Sequence, residues 1–72
     1  MEIYERLKSL REDRDISQKD VADALGTTRQ QIYKYENGLQ EMTILKLKTL
    51  CEFYHVSADY ILGLPKNYSW PR

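Results

Sequence analysis

The 72 residues carry eleven basic and eleven acidic side chains, a formal net charge of zero; chains that hold nucleic acid by overall charge show a marked basic excess, so any such contact here must come from a local patch. One cysteine, Cys51, and one histidine, His55, leave neither an internal disulfide nor a zinc set and fit a reducing cytoplasm. No basic leader precedes an apolar run, and no apolar stretch approaches the roughly 18 residues of a membrane span, so the length suggests one domain burying roughly 60% of its unfolded surface.

Five helices and no strands are expected. Ile3, Leu7 and Leu10 place one apolar face on a first helix over about residues 2–13. Residues 14–17 break it, and Ser17 can cap a second helix whose buried stripe is Val21, Ala22 and Leu25. Ala22 is small where a third helix would cross closest. Gly26 can take the positive φ that redirects the chain, and Thr28 caps the third helix, which ends near Glu36 with Ile32 and Tyr35 facing inward. Asn37 and Gly38 are a stop signal. Thr43 caps a fourth helix in which Ile44, Leu47, Leu50, Cys51 and Tyr54 line the inner side and Lys46, Lys48 and Glu52 face solvent. Ser57 caps a short fifth helix, Ala58 to Leu62, closed by Gly63 and Pro65. Residues 1–64 are expected to form the domain and 65–72 a short tail without periodicity; no repeat or low-complexity tract is visible.

Two short helices joined by a tight turn over residues 18–37 form a helix-turn-helix pattern. The outward face of its second helix carries Arg29, Gln30, Gln31 and Lys34. Arg can bond both acceptors of guanine, and Gln the acceptor and donor of adenine, so this set suits major-groove reading. A merely solvated face is the plainer alternative. Gln31 and Tyr33 lie on its flanks, where they could touch sugar or phosphate, and Tyr33 could equally be partial core. Free N–H groups at the start of the second helix, where Gln18 sits, favour an anion. Arg14 and Lys19 add charge nearby.

Leu10, Arg11, Arg14, Ile16, Ser17, Gln18, Val21, Ala22, Leu25, Gly26, Thr28, Ile32, Tyr35, Glu36, Asn37 and Gly38 occur in an ordered series, and Val56 to Leu62 reads VSADYIL. On these residues, positions 3–64 resemble the phage-repressor (Cro-like) helix-turn-helix family, also called the xenobiotic-response-element family. The resemblance implies an all-α, compact five-helix repressor-type domain with helices 2 and 3 as the helix-turn-helix. It implies a transcriptional regulator, read here as a repressor, that binds double-stranded operator DNA by inserting helix 3 into the major groove, as a homodimer in a bacterial or phage cytoplasm. The base-reading residues would be Thr28, Arg29, Gln30, Tyr33 and Lys34; Arg14, Gln18, Lys19, Gln31 and Asn37 would contact the DNA backbone. Gln18 matches the family position that bonds a phosphate. Arg11 and Glu36 match the family's buried, oppositely charged pair, a structural tie between helix 1 and the end of helix 3.

Other residues carry less chemistry. Glu12, Asp13, Asp15, Asp20 and Asp23 show no paired spacing for acid–base work, so no enzyme, metal or cofactor is expected. His55 reads as a helix-end residue and Cys51 as a small buried hydrophobe. The chain has six tyrosines, and Tyr60, Leu62, Leu64, Tyr68 and Trp70 lie in or after the last helix. A subunit contact through Tyr60, Leu62, Leu64 and Trp70 and packing back on the same monomer are both open. Two rival readings stand beside the repressor. One is an antitoxin or mobile-element regulator whose main partner is another protein; the other is a protein-interaction module that has lost DNA binding, for which the neutral charge speaks.

Overall fold

In a computed structural model that describes residues 2–64, the chain forms α1 (Ile3–Asp13), α2 (Gln18–Leu25), α3 (Arg29–Glu36), α4 (Ile44–Tyr54) and α5 (Ala58–Leu62), with no strand among the described residues. Side-chain oxygens start α2 through α5, satisfying amides that have no partner within the helix. Ser17 accepts from the Asp20 N–H at 3.0 Å, Thr28 from Gln31 at 3.2 Å, Thr43 from Lys46 at 3.2 Å and Ser57 from Tyr60 at 3.3 Å. At α1, Glu5 Oε1 accepts from the Glu2 N–H at 3.0 Å.

The turns follow from residues that tolerate left-handed backbone. Gly26 ends α2 at φ 66°, and the next N–H, of Thr27, donates to the Ala22 carbonyl at 2.9 Å. Asn37 ends α3 but keeps a negative φ of −116°; Gly38 takes the left-handed step at φ 71°. His55, the residue after α4, is itself left-handed at φ 57°.

Each helix contributes to one core: Leu7 and Leu10, Val21, Ala22 and Leu25, Ile32 and Tyr35, Leu50 and Tyr54, and Ile61. α3 packs on α1 and α2, α4 packs on α2, and α5 closes against α1 and α4. The five residues of α5 are too few to hold a helix in water. Ile61, 1% exposed, anchors it in the core, and burying such a side chain contributes about 2 kcal/mol.

Three side chains depart from the expected pattern. Ile44, expected to line the inner side of α4, is 83% exposed, and the adjacent Leu45 is 76% exposed. The first turn of α4 projects past the elements that cover Leu50 and Tyr54, so helical spacing continues the stripe where nothing meets it. Ile3, in the first turn of α1, is exposed for the same reason. Lys46, expected in solvent, instead lies half-buried, and its Nζ donates to the Leu25 carbonyl at 2.6 Å. An ammonium there satisfies a carbonyl at the negative end of α2 and joins that helix to α4.

Candidate nucleic-acid interface

The face of α3 opposite Ile32 and Tyr35 is open. Arg29, Gln30, Tyr33 and Lys34 are all exposed, and their spacing of one, four and five places them along one side of a helix. Thr28, just before them, is exposed as well, with Oγ1 engaged in capping. Gln31 turns the other way: it is half-buried, and its Nε2 has no hydrogen-bond partner among the described residues.

The end of α3 is held from below. Arg11 Nε donates to Glu36 Oε2 at 2.7 Å and Nη2 to Oε1 at 3.1 Å, while Nη1 donates to the Ile16 carbonyl at 2.8 Å. The Glu36 and Arg11 side chains are 4% and 12% exposed. The paired hydrogen bonds fix direction as well as distance, and the bond to Glu36 raises the Arg11 pKa above its ordinary value although burial opposes it. Gln18 joins the same group, with Nε2 donating to Glu36 Oε1 at 3.2 Å. A primary amide has a second N–H, so Gln18 keeps a donor at the start of α2, where backbone amides also lack helical partners.

The remaining residues expected at a DNA backbone are arranged differently. The Arg14 guanidinium lies over the Tyr54 ring, 5.5 Å from its centroid, which restrains its position without neutralising it. Lys19 Nζ is 3.2 Å from Asp23 Oδ2, an exposed pair one helical turn apart that solvent largely screens. Asn37 Nδ2 donates to the Tyr33 carbonyl at 2.8 Å, closing the C-terminal turn of α3. The side chains expected at a subunit contact divide: Tyr60 is 50% exposed, Leu62 and Leu64 are half-buried, and Trp70 lies outside the described residues.

Sequence reasoning missed the bond from Gln18 to Glu36, the stacking of Arg14 on Tyr54 and the Lys46 cap on α2. Each joins residues remote in sequence, and helical periodicity carries no signal for them. Among the described residues no three His, Cys, Asp or Glu side chains gather as a metal site, and no helix is long and apolar enough to cross a membrane. Cys51 is half-buried, and burial pushes its thiol pKa up.

A helix-turn-helix family profile matches residues 7–61, covering all of α2 through α4 and the turns between them. The chain belongs to the helix-turn-helix family. This helix-turn-helix chain is 43% identical over 58 residues to the SPbeta prophage-derived HTH-type transcriptional regulator YonR of Bacillus subtilis, covering 81% of this chain and 54% of that one. It is 31% identical over 64 residues to the antitoxin PezA of Streptococcus pneumoniae, covering 89% of this chain and 40% of PezA. It thus spans about half the length, or less, of these relatives. Its fold is that of the P22 c2 repressor, solved in complex with a synthetic operator, with a TM-score of 0.80, 24% identity and coverage of 86% of this chain and 94% of that one. The all-α, five-helix architecture expected from the sequence is the one observed.

Proposed function

We propose that this chain is a sequence-specific, double-stranded DNA-binding transcriptional regulator, a repressor acting as a homodimer in the cytoplasm, with α3 entering the major groove. The observation that carries this reading is the row of Arg29, Gln30, Tyr33 and Lys34, exposed together on a helix whose end is tied to α1 and α2 through Glu36. Arg29 and Gln30 occupy the first turn, the end of a recognition helix that meets base edges. Arg29 would take guanine and Gln30 adenine, Lys34 a flanking guanine or phosphate, and Thr28 and Tyr33 the adjoining base edges and sugars. Gln18, through its remaining N–H, would hold a phosphate; Arg14, Lys19, Gln31 and Asn37 would lie along the same backbone.

Support comes also from the relatives: YonR is named as an HTH-type transcriptional regulator, and the P22 c2 repressor was solved on an operator. A two-fold pair through the outer side of α5, with Tyr60 at its centre and Leu62 and Leu64 beside it, would set two copies of α3 about 34 Å apart, one turn of DNA. The likeness to PezA favours a second reading, an antitoxin whose main partner is a protein and whose DNA binding serves its own control. Selection of bound duplexes from a random pool tests the primary reading. Enrichment of a two-fold symmetric site supports it, and failure to enrich any sequence overturns it.

A further inference from the structure

Three cations around α2 already have polar partners. Arg11 is paired with Glu36, Lys19 with Asp23, and Lys46 donates to the Leu25 carbonyl. Arg14, the residue after α1, differs: it is exposed, no ion pair among the described residues includes it, and its Cζ lies over the Tyr54 ring, 5.5 Å from the centroid. That is within the range of cation–π attraction. The Arg14 backbone is fixed as well, since its N–H donates to the Arg11 carbonyl at 3.2 Å and the Asp15 N–H to the Glu12 carbonyl at 3.0 Å. The ring beneath is part of the core, with Tyr54 4% exposed and the Phe53 ring meeting it edge-on at 5.0 Å. Charges on Glu36, Arg11 and Arg14 all act on the Tyr54 phenol, so the ring ties Arg14 to the group in which Gln18 is bonded to Glu36.

We propose, resting on the DNA-binding function given above, that Tyr54 is a positioning residue: its ring holds the Arg14 guanidinium beside the start of α2, where Arg14 and Gln18 together grip the DNA backbone. An aromatic ring is not a conventional hydrogen-bond acceptor, so the planar fork of N–H donors stays available for two oxygens of one phosphate. A carboxylate in the same place would restrain the side chain equally but would cancel its charge. An unrestrained arginine loses rotamer freedom when it binds; on Tyr54 part of that loss has already occurred in folding. In a chain of zero net charge, one positioned cation contributes what an excess of loose ones supplies to a basic domain. Arg14 meets a phosphate only on duplex DNA, whereas its restraint by the ring exists in the free protein.

The test is titration of a duplex enriched from the random pool at several salt concentrations, at a temperature where circular dichroism shows each variant folded. Tyr54→Leu should weaken binding about threefold per subunit while the slope of log affinity against log salt stays as in the wild type, because the phosphate contact is still made. Arg14→Ala should lower that slope by about 0.9 per subunit, and adding Tyr54→Leu to it should cost nothing more. Tyr54→Phe keeps the ring and should restore wild-type affinity. A Tyr54→Leu loss that is the same with and without Arg14 would make Tyr54 a merely structural residue and overturn the proposal. So would unchanged affinity in Tyr54→Leu, which leaves the DNA-binding function standing; failure of the wild-type chain to bind any duplex overturns that function and the phosphate contact with it. Nitrogen-15 relaxation of the DNA-free wild type needs no variant to fold: Arg14 Nε–Hε should be more ordered than that of Arg29, exposed on α3, and equal mobility of the two would overturn the restraint.

Discussion

Gln18 and Glu36 stand 18 positions apart, yet Gln18 Nε2 lies 3.2 Å from Glu36 Oε1, and the same carboxylate takes two hydrogen bonds from Arg11. One buried acid therefore joins the first residue of α2, the last residue of α3 and the inner face of α1. Any shift of α3 relative to α2 would strain these bonds, so the candidate phosphate donor and the candidate recognition helix are held in register by a single group. Attraction within such a pair is offset by the cost of desolvating both charges. Its worth lies in the geometry it imposes.

Breaking the pair from one side should be costly. Arg11→Met leaves a carboxylate whose side chain is 4% exposed without its cation, and the expected loss is about 3 kcal/mol. The double variant Arg11→Met/Glu36→Leu should recover most of it, because no charge is then buried. Urea unfolding of the two single variants and the double variant measures this. A single-variant loss below about 1 kcal/mol would mean that the pair behaves as a surface contact.

Stability should fall at high pH through Tyr54. Burial, with the Glu36 charge adding to it, pushes the phenol pKa from 10.0 to about 12, against the opposing charges of Arg11 and Arg14. The folded chain holds this proton more tightly than the unfolded chain. The associated stability is complete below pH 10 and is lost as pH rises from 10 towards about 12, amounting to about 2–3 kcal/mol. Tyr54→Phe removes that component, so the variant should lose less stability over the same pH range. Parallel pH profiles for the two proteins would show that Tyr54 is not responsible.

Gly38→Ala should destabilise more than Gly26→Ala. Both positions are left-handed, at φ 71° and 66°, and each alanine costs about 1–2 kcal/mol in backbone strain. At Gly26 an added Cβ meets nothing within 4 Å, whereas at Gly38 it would lie 3.0 Å from Cε1 of Tyr4. Thermal unfolding of both variants decides it. Equal losses would show that the Tyr4 ring moves aside freely.

On DNA, Arg29→Ala and Gln30→Ala should each relax preference at one base pair per half-site, by about 1–3 kcal/mol, while Gln18→Ala should weaken all duplexes by a common factor. Titration against a panel of single-base operator variants separates the two patterns. A uniform loss for Arg29→Ala would make it a phosphate contact.

Helix number, order and caps were determined by the sequence alone, because each depends on residues a few positions apart. Ser17, Thr28, Thr43 and Ser57 each cap an amide three residues on, and apolar spacing marks the inner faces. Arg29, Gln30 and Lys34 of the outward face are legible for the same reason, since about half a helical turn separates them from the stripe of Ile32 and Tyr35; Gln31, expected on that face, is half-buried, and Tyr33, expected on its flank, is exposed. Only the tertiary structure decided where those periodic patterns find a partner surface. Ile44 continues the α4 stripe but overhangs it, and Lys46 reaches the end of α2 instead of solvent. Gln18 and Arg11 meet on one carboxylate. Periodicity states which side of a helix is apolar; whether another element covers a given turn, and which remote polar group lies within 3 Å, depends on how the helices cross.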